Sequence, residues 1–510
     1  MLIDFETVDL ECAKTWHLIS SGNTKGVFQL ESRLGQSMSK KLKPENLEQL
    51  SALIAILRPG TLEAFRDGKS VSNHYIDKKN ALESVDYFHS SLEPILKTTY
   101  GEMIYQEQAM EITQVVAGFD LQEADMLRKA IGKKKPEEMA KVKIKFIEGS
   151  KKLGIVTESQ SEEIFGWIEK SQRYSFNKSH SVSYAMNAYV SAYCKAHYPH
   201  EFFVSYLKFA KDKIDPMREV SELVNNAIQS NIDVYRPDLR KLNKEFILDN
   251  RIIYFGLTNI KGVGDSVFNK FIDIINESQI DLQNINIYQI LFLVLDKINS
   301  TAAKAIVSSG CIDYLKVSRK KILFDLDIIQ NLSQREKDMV INNQIWSNLS
   351  DMLTGLLDKV NKRRHETIKS LILASNHPAY SLEDDYEWIA NTEKQFLGIP
   401  ITCSIVDGRD LEAANTDCKS LSKSSIYSKS IIVGAVIDDI NIVKTKTGAN
   451  PGQEMAFIKI SDGTGCCDLV IFPKEFEQLK VFLYKENTVM LSLEQSKKKD
   501  GFFIKKCWQI

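Results

Sequence analysis

The chain has 510 residues, with 66 Lys and Arg against 67 Asp and Glu, for a formal net charge of −1. So even a balance excludes a globally basic nucleic-acid binder and leaves any anion-binding surface to local clusters of cations. With 43% hydrophobic and 26% charged residues, the composition is that of folded globular protein, enough for roughly three or four domains with their own cores.

The start, Met1-Leu2-Ile3-Asp4, lacks the basic, apolar and cleavage-site pattern of a signal peptide, and no run of about 18 apolar residues is long enough to span a membrane. Eight cysteines are scattered without a C-x-x-C pair. That argues against a zinc site or a disulfide framework and for free thiols in a reducing compartment. Cys466 and Cys467 are adjacent in an expected strand, so they should point to opposite faces.

In chain order, residues 1 to about 235 read as mainly helical. Apolar residues recur with a 3.6 period over 103–116, 121–131, 136–153 and 181–196, and Arg58-Pro59-Gly60 and Tyr198-Pro199 interrupt the pattern. On the second helix, Leu127, Ala130 and Ile131 share one side, while Arg128 and Lys129 fall on the polar side. Gly132 is placed to end it, leaving Lys133, Lys134 and Lys135 near its C-terminal pole, where cations are favoured. A solvated charge run is the plain alternative.

The segment Tyr174-Ser175-Phe176-Asn177-Lys178-Ser179-His180-Ser181 precedes a helix rich in small residues, with Asn177 or Ser179 as its N-cap. Lys178 and His180 then sit at the positive pole, where a cation is unfavourable by up to about 1 kcal/mol. Open backbone N–H groups beside such cations fit a docked anion, most often a phosphate. An exposed helix start with incidental charges is the alternative.

A short β-hairpin is expected from Phe246-Ile247-Leu248 and 252–255 about the turn Asp249-Asn250-Arg251. Next, Ile260-Lys261-Gly262-Val263-Gly264 looks like a helix-hairpin-helix turn. Its glycines let the backbone approach a phosphate oxygen, which positions DNA without reading bases. A plain helix-linking turn is equally compatible. Residues 316–395 read as a polar helical connector with an exposed Lys362-Arg363-Arg364-His365 run. From Ile431 the period becomes two. Strands at 431–436, 455–461, 467–472, 488–493 and 502–506 fit an OB-type barrel. Lys444, Lys446, Phe457 and Lys459, with the basic turn Lys497–Lys499, are candidates for holding a single strand. A barrel used for protein contacts is the alternative. The expected fold is multidomain and mainly α, closed by a C-terminal five-stranded β-barrel. Its divisions are 1–235, 236–315, 316–405 and 406–510.

Several motifs follow one another in order: Gly26-Val27-Phe28-Gln29-Leu30-Glu31-Ser32, Leu57-Arg58-Pro59-Gly60, Tyr105-Gln106-Glu107-Gln108, Ala124-Asp125-Met126-Leu127-Arg128-Lys129, Phe176–Ser181 and Lys195-Ala196-His197-Tyr198-Pro199. Over about 24–270, and again at Phe396-Leu397-Gly398 and the barrel, the chain resembles the bacterial C-family replicative DNA polymerase, the alpha subunit of DNA polymerase III. The resemblance implies a fingers domain, a helix-hairpin-helix domain on the clamp side and an OB domain. By position, Arg128, Lys129 and Lys133 would grip the phosphates of an incoming dNTP. Tyr174, Asn177, Lys178 and His180 would line the nucleotide and primer end. Arg58, Lys134, Lys261, Gly262, Gly264 and the four barrel residues would contact DNA.

The chain departs from that pattern in places. Arg128-Lys129 stands where the family has two arginines, so the second cation lacks the planar fork. Ser175 replaces a glycine. The nearest stand-in for a clamp-binding peptide is Gln344-Ile345-Trp346-Ser347-Asn348-Leu349, which leaves a sliding clamp as a candidate partner only. Asp4-Phe5-Glu6-Thr7 is similar to the first metal motif of a DEDD exonuclease, but the helical pattern after it opposes that fold. In the family, the palm aspartates and the phosphoesterase-like domain precede the first matched motif. The resemblance therefore implies half of a split polymerase with no catalytic carboxylate or metal ligand of its own. A separate palm and phosphoesterase polypeptide would hold the paired Mg²⁺ ions. Primer-template DNA and dNTPs would be its ligands, and the isolated chain would be inactive. The place implied is the cytoplasm of a bacterium, or of the host cell if the gene is a phage's. A non-catalytic DNA-binding scaffold derived from a polymerase is the alternative.

Overall fold

A computed structural model describes the chain except residues 1–6, 134–135, 172–173, 345, 423–429, 446–450 and 496–500. It divides into two compact units, Met1–Phe202 and Phe203–Ile510.

The first unit is built on helices α1 (Ala13–Ser20), α2 (Leu47–Ile56), α3 (Gln106–Ala117), α4 (Leu121–Lys133), α5 (Pro136–Leu153), α6 (Glu158–Ser171) and α7 (Lys178–His197). Its helices surround two apolar cores. In the first, α7 packs on α2 and α1. It does so through Ser181, Ala185, Ala188 and Ala192, all buried. Small residues at this helical spacing let the two backbones approach, and the Ser181 hydroxyl donates to the Ser51 carbonyl at 2.6 Å. Every residue of α2 from Gln49 to Ile56 is buried in consequence. Each large aliphatic side chain so covered contributes roughly 1.5–3 kcal/mol. In the second core Phe146 packs against Phe119 and Phe165, with ring centroids 6.2 and 5.3 Å away. Gly149 of α5 lies so close to α3 that an added Cβ would sit 2.1 Å from the Ala117 carbonyl oxygen.

Three expected boundaries move. The helix expected over 103–116 starts only at Gln106, because Ile104 and Gln106 bracket Phe176 in a short parallel bridge. The helix expected to stop at Gly132 runs on to Lys133. A helix interior tolerates one glycine at a cost of about 1 kcal/mol. The small-residue helix begins at Lys178 rather than Ser181, and of the two candidate caps it uses Asn177.

The second unit opens with α8 (Pro216–Gln229) and a small sheet of β1 (Val234–Tyr235), β2 (Ile247–Asp249) and β3 (Ile252–Tyr254) in the order β1-β3-β2. Asn250 and Arg251 alone make the turn, both with positive φ, as a two-residue hairpin requires. The parallel β1–β3 pairing is the part of this sheet that strand patterning does not announce. Helices α9 (Asp265–Glu277), α10 (Arg319–Gln330), α11 (Gln334–Asn343), α12 (Lys362–Asn376) and α13 (Tyr386–Leu397) follow.

The barrel comprises β4 (Ile431–Lys444), β5 (Glu454–Ser461), β6 (Cys466–Ile471), helix α14 (Pro473–Leu479), β7 (Thr488–Gln495) and β8 (Phe502–Gln509). Its closed strand order is β8-β6-β5-β4-β7, with β8 and β6 parallel and the other pairs antiparallel. That is the five-stranded OB-type topology. The strand expected over 431–436 continues through the two aspartates to Lys444. A register shift between Ile437 and Asp439 takes up Asp438 as a bulge, so the apolar alternation breaks while the ladder does not. All eight cysteines are free thiols.

Candidate nucleotide and nucleic-acid sites

The start of α7 gathers side chains from three segments. Phe176 lies under the Arg58 guanidinium, 3.5 Å from ring centroid to Cζ. Its other neighbours are His180 at 5.4 Å and, beyond it, Tyr184 at 4.1 Å from the His180 ring. Phe28 closes the row, 5.2 Å from Tyr184. The Lys178 ammonium sits 5.7 Å from the Tyr105 ring centroid. His180 and Arg58 are exposed, so the row is half open to solvent. Arg58, expected among DNA contacts, is thus brought to the residues expected around the nucleotide. Burial lowers its pKa. Tyr174 packs against the first core, and burial pushes its hydroxyl up to about 12.

The open helix start expected here is in fact partly filled. The Asn177 Oδ1 accepts from the His180 amide at 2.9 Å. The Glu107 carboxylate, from the first turn of α3, accepts from the Lys178 amide at 2.9 Å and from Asn177 Nδ2 at 2.8 Å. An internal anion therefore already occupies the positive pole of α7, and it explains why Lys178 and His180 are tolerated there. In the sequence Glu107 stands only as part of the motif Tyr105-Gln106-Glu107-Gln108, with no sign of its partner 70 residues on.

On α4, Leu127 and Ala130 are buried and Arg128 and Lys129 exposed, as the periodicity requires. Both cations reach Asp125 on their own helix, at 2.7 and 2.8 Å. The bonds to Lys129 and Arg128 hold the Asp125 carboxyl below its ordinary value. Lys133 lies within α4 but its side chain, like all of Lys134, falls outside the described residues.

The expected helix-hairpin-helix turn is preceded by a single 3₁₀ turn, Leu257–Asn259, and leads into α9 with Gly264 as N-cap. Gly262 has φ +96°, which a side chain would strain. Nothing lies within 4 Å of a Cβ added at Gly264. Neither glycine amide donates to another described residue, and Lys261 is exposed. The turn is held from behind: Ile260 and Val263 are buried, and the Lys261 amide donates to the Phe396 carbonyl at 2.8 Å. This gives the Phe396-Leu397-Gly398 motif its physical reason. Gly398, with φ +86°, ends α13 where a Cβ would lie 2.8 Å from the Met217 carbonyl oxygen.

On the barrel, Phe457 is 45% exposed on the outer face of β5, between Asn441 of β4 and Val470 of β6. Phe503 of β8 continues that row beside Val470 and packs on Phe472 at 4.6 Å. Lys459 stands in register between Asp439 and Asp468, and Lys444 opposite Glu454. Both lysines thus have carboxylate residues as cross-strand neighbours. Lys446 and Lys497–Lys499 lie outside the described residues.

The connector departs from its polar reading in two places. Arg364, in the run expected to be exposed, binds the Glu336 carboxylate at 2.8 Å. Of the clamp-peptide stand-in, Trp346 packs on Phe292 and Leu349 is buried, while Ile345 lies outside the described residues. Two buried cations leave no trace in the hydrophobic pattern, although Lys195 opens the motif Lys195–Pro199. Lys195 of α7 donates to the Asn23 and Lys25 carbonyls, at 2.9 and 2.8 Å, anchoring the loop before Gly26. Arg319 anchors the second unit. Among the described residues no group of three or more His, Cys, Asp or Glu side chains is arranged to hold a metal ion.

A helical unit with a cationic, aromatic helix start is followed along the chain by a glycine hairpin and a five-stranded OB-type barrel. Residues 1–154 match the bacterial DNA polymerase III alpha subunit finger domain, and residues 231–322 match a helix-hairpin-helix motif. DNA polymerase III subunit alpha of Aquifex aeolicus is 32% identical over 506 residues, covering 96% of this chain and 38% of that protein. The Helicobacter pylori subunit alpha is 31% identical over 495 residues, 94% of this chain and 38% of its own length. That of Haemophilus influenzae is 31% identical over 505 residues, 96% and 40%. Over 94–96% of its length the chain is thus similar to bacterial DNA polymerase III alpha subunits, and it spans about two fifths of the length of these relatives.

Proposed function

We propose that this chain grips the incoming dNTP and the primer-template duplex in template-directed DNA synthesis, while the catalytic carboxylates come from polypeptide outside these 510 residues. The observation that carries this reading is the row at the start of α7, where Arg58, Phe176, Lys178 and His180 converge from segments far apart in sequence. The exposed Arg58 and the half-buried Lys178 beside flat rings suit a nucleotide, whose phosphates take the charge and whose base takes the ring. Arg128 and Lys129 join them by exchanging Asp125 for triphosphate oxygens, neutralising charge that builds up as pyrophosphate leaves. The open glycine turn at Gly262 and Gly264 takes a DNA phosphate on its amides. The Mg²⁺ ions belong with the palm carboxylates, outside these 510 residues.

The purified 510-residue chain should bind a primed template and extend nothing until a palm-bearing polypeptide is added. With it, Lys178→Ala and Arg128→Ala should each raise the KM for dNTP or lower kcat by tenfold or more. Extension by the chain alone defeats the division of labour, and unchanged kinetics in both variants defeats the triphosphate role. The ion pairs of Arg128 and Lys129 with Asp125 favour one other reading, a DNA-binding scaffold whose nucleotide grip is already neutralised. DNA binding with no response to any dNTP is its signature.

A further inference from the structure

Asn177 and Glu107 are interlocked by three bonds, each with one possible direction. The His180 amide donates to Asn177 Oδ1 at 2.9 Å, Asn177 Nδ2 donates to Glu107 Oε1 at 2.8 Å, and the Lys178 amide donates to Glu107 Oε2 at 2.9 Å. The backbone brackets the same spot, with the Phe176 amide on the Ile104 carbonyl and the Gln106 amide on the Phe176 carbonyl, both at 2.9 Å. Helix caps in general use Asn and Asp equally well. Here they differ: an aspartate in place of the Asn177 amide would set carboxylate against carboxylate at hydrogen-bond distance. The pairing with Glu107, not capping itself, demands Asn.

The same carboxylate also decides how an incoming phosphate can bind. Glu107 already holds the Lys178 amide, and Asn177 holds that of His180, so two first-turn donors of α7 are taken. Phosphate recognition at this point falls to the side chains of Lys178, His180 and Arg58, whose directions then matter. We propose that Glu107 is a positioning residue for nucleotide binding. It clamps Asn177 and the Lys178 amide, and so fixes the direction in which the Lys178 ammonium leaves α7. This rests on the reading that Lys178 holds the triphosphate.

The bond directions supply the test. Asn177→Asp combined with Glu107→Gln rebuilds the same three bonds with one donor and one acceptor exchanged. The glutamine Nε2 then donates to the aspartate, its Oε1 accepts from the Lys178 amide, and the other aspartate oxygen still accepts from the His180 amide. The 510-residue chain on a primed template is titrated with dATP opposite a template thymine, and melting and template affinity are measured on each variant. Lys178→Ala and Asn177→Asp should each weaken dATP binding at least tenfold, and Glu107→Gln alone at least threefold. The Asn177→Asp/Glu107→Gln pair should return to within threefold of the native chain, with template affinity unchanged within twofold throughout. Native dATP affinity in Lys178→Ala overturns the nucleotide reading and this proposal with it. If Lys178→Ala weakens binding but Glu107→Gln does not, or the exchanged pair melts like the native chain without recovering dATP affinity, the positioning role alone falls.

Discussion

Arg319 is 1% exposed at the first position of α10 and carries the second unit's largest buried charge. Its Nε and Nη2 donate to Asp313 at 3.0 and 2.7 Å, Nη2 also to Glu393 at 2.7 Å and Thr402 Oγ1 at 3.1 Å, and Nη1 to the Ser308 carbonyl at 3.1 Å. Glu393, wholly buried, accepts in addition from the Ile401 and Thr402 amides at 2.6 and 2.8 Å. Burial alone would lower the Arg319 pKa, but Asp313 and Glu393 outweigh it and raise it, so the group is charged at every accessible pH. Arg319→Met removes one partner of a buried pair, a change that costs about 3–5 kcal/mol. Asp313 keeps Arg236 at 3.1 Å and Glu393 keeps its two amides, so the lower end, about 3 kcal/mol, applies. At about 1.4 kcal/mol per tenfold, the folding constant falls roughly a hundredfold. Hydrogen exchange of α10 and α13 amides at pH 7, with urea unfolding of the full chain, reads that loss. The double variant Arg319→Met/Glu393→Gln should recover part of it, because no charge is then stranded at position 393 and the glutamine Oε1 still accepts from the Ile401 and Thr402 amides. A loss under about 1 kcal/mol, or a double variant no better than the single one, refutes the reasoning.

Glu336 gives a pH test. Its bond to Arg364, together with the Ser333 amide and hydroxyl, holds its carboxyl at about 2 in the folded chain. The folded value is below the unfolded one, so the stabilisation is full above about pH 4.3 and is lost as pH falls toward 2. It amounts to roughly 2–3 kcal/mol after allowance for the partly exposed Arg364. Arg364→Ala should flatten the acid limb of stability between pH 5 and 2 in urea titrations; an unchanged limb refutes the assignment. At the hairpin, Gly264→Glu meets open space and should leave the melting temperature within a degree or two, while weakening primed-template binding about tenfold and more steeply at low salt. Equal affinity removes this turn from the DNA contacts.

The sequence by itself determined the elements whose cause is local. Helical periodicity placed α4 and α5, alternation placed the five barrel strands, and Asp249-Asn250-Arg251 marked the hairpin turn to within one residue, because each depends on residues a few positions apart. It also determined which side of α4 carries Arg128 and Lys129. Tertiary structure decided what depends on partners distant in sequence. Glu107 reaches α7 across 70 residues, Arg319 reaches Glu393 across 74, and the parallel β6–β8 pairing closes the barrel. A buried charge leaves no periodic trace, since it looks like any surface residue until its counter-charge is seen beside it. The helix start of α7 joins both kinds of information. Its cap and misplaced cations are local facts, but the anion that accounts for them comes from another helix, so only the folded chain could supply it.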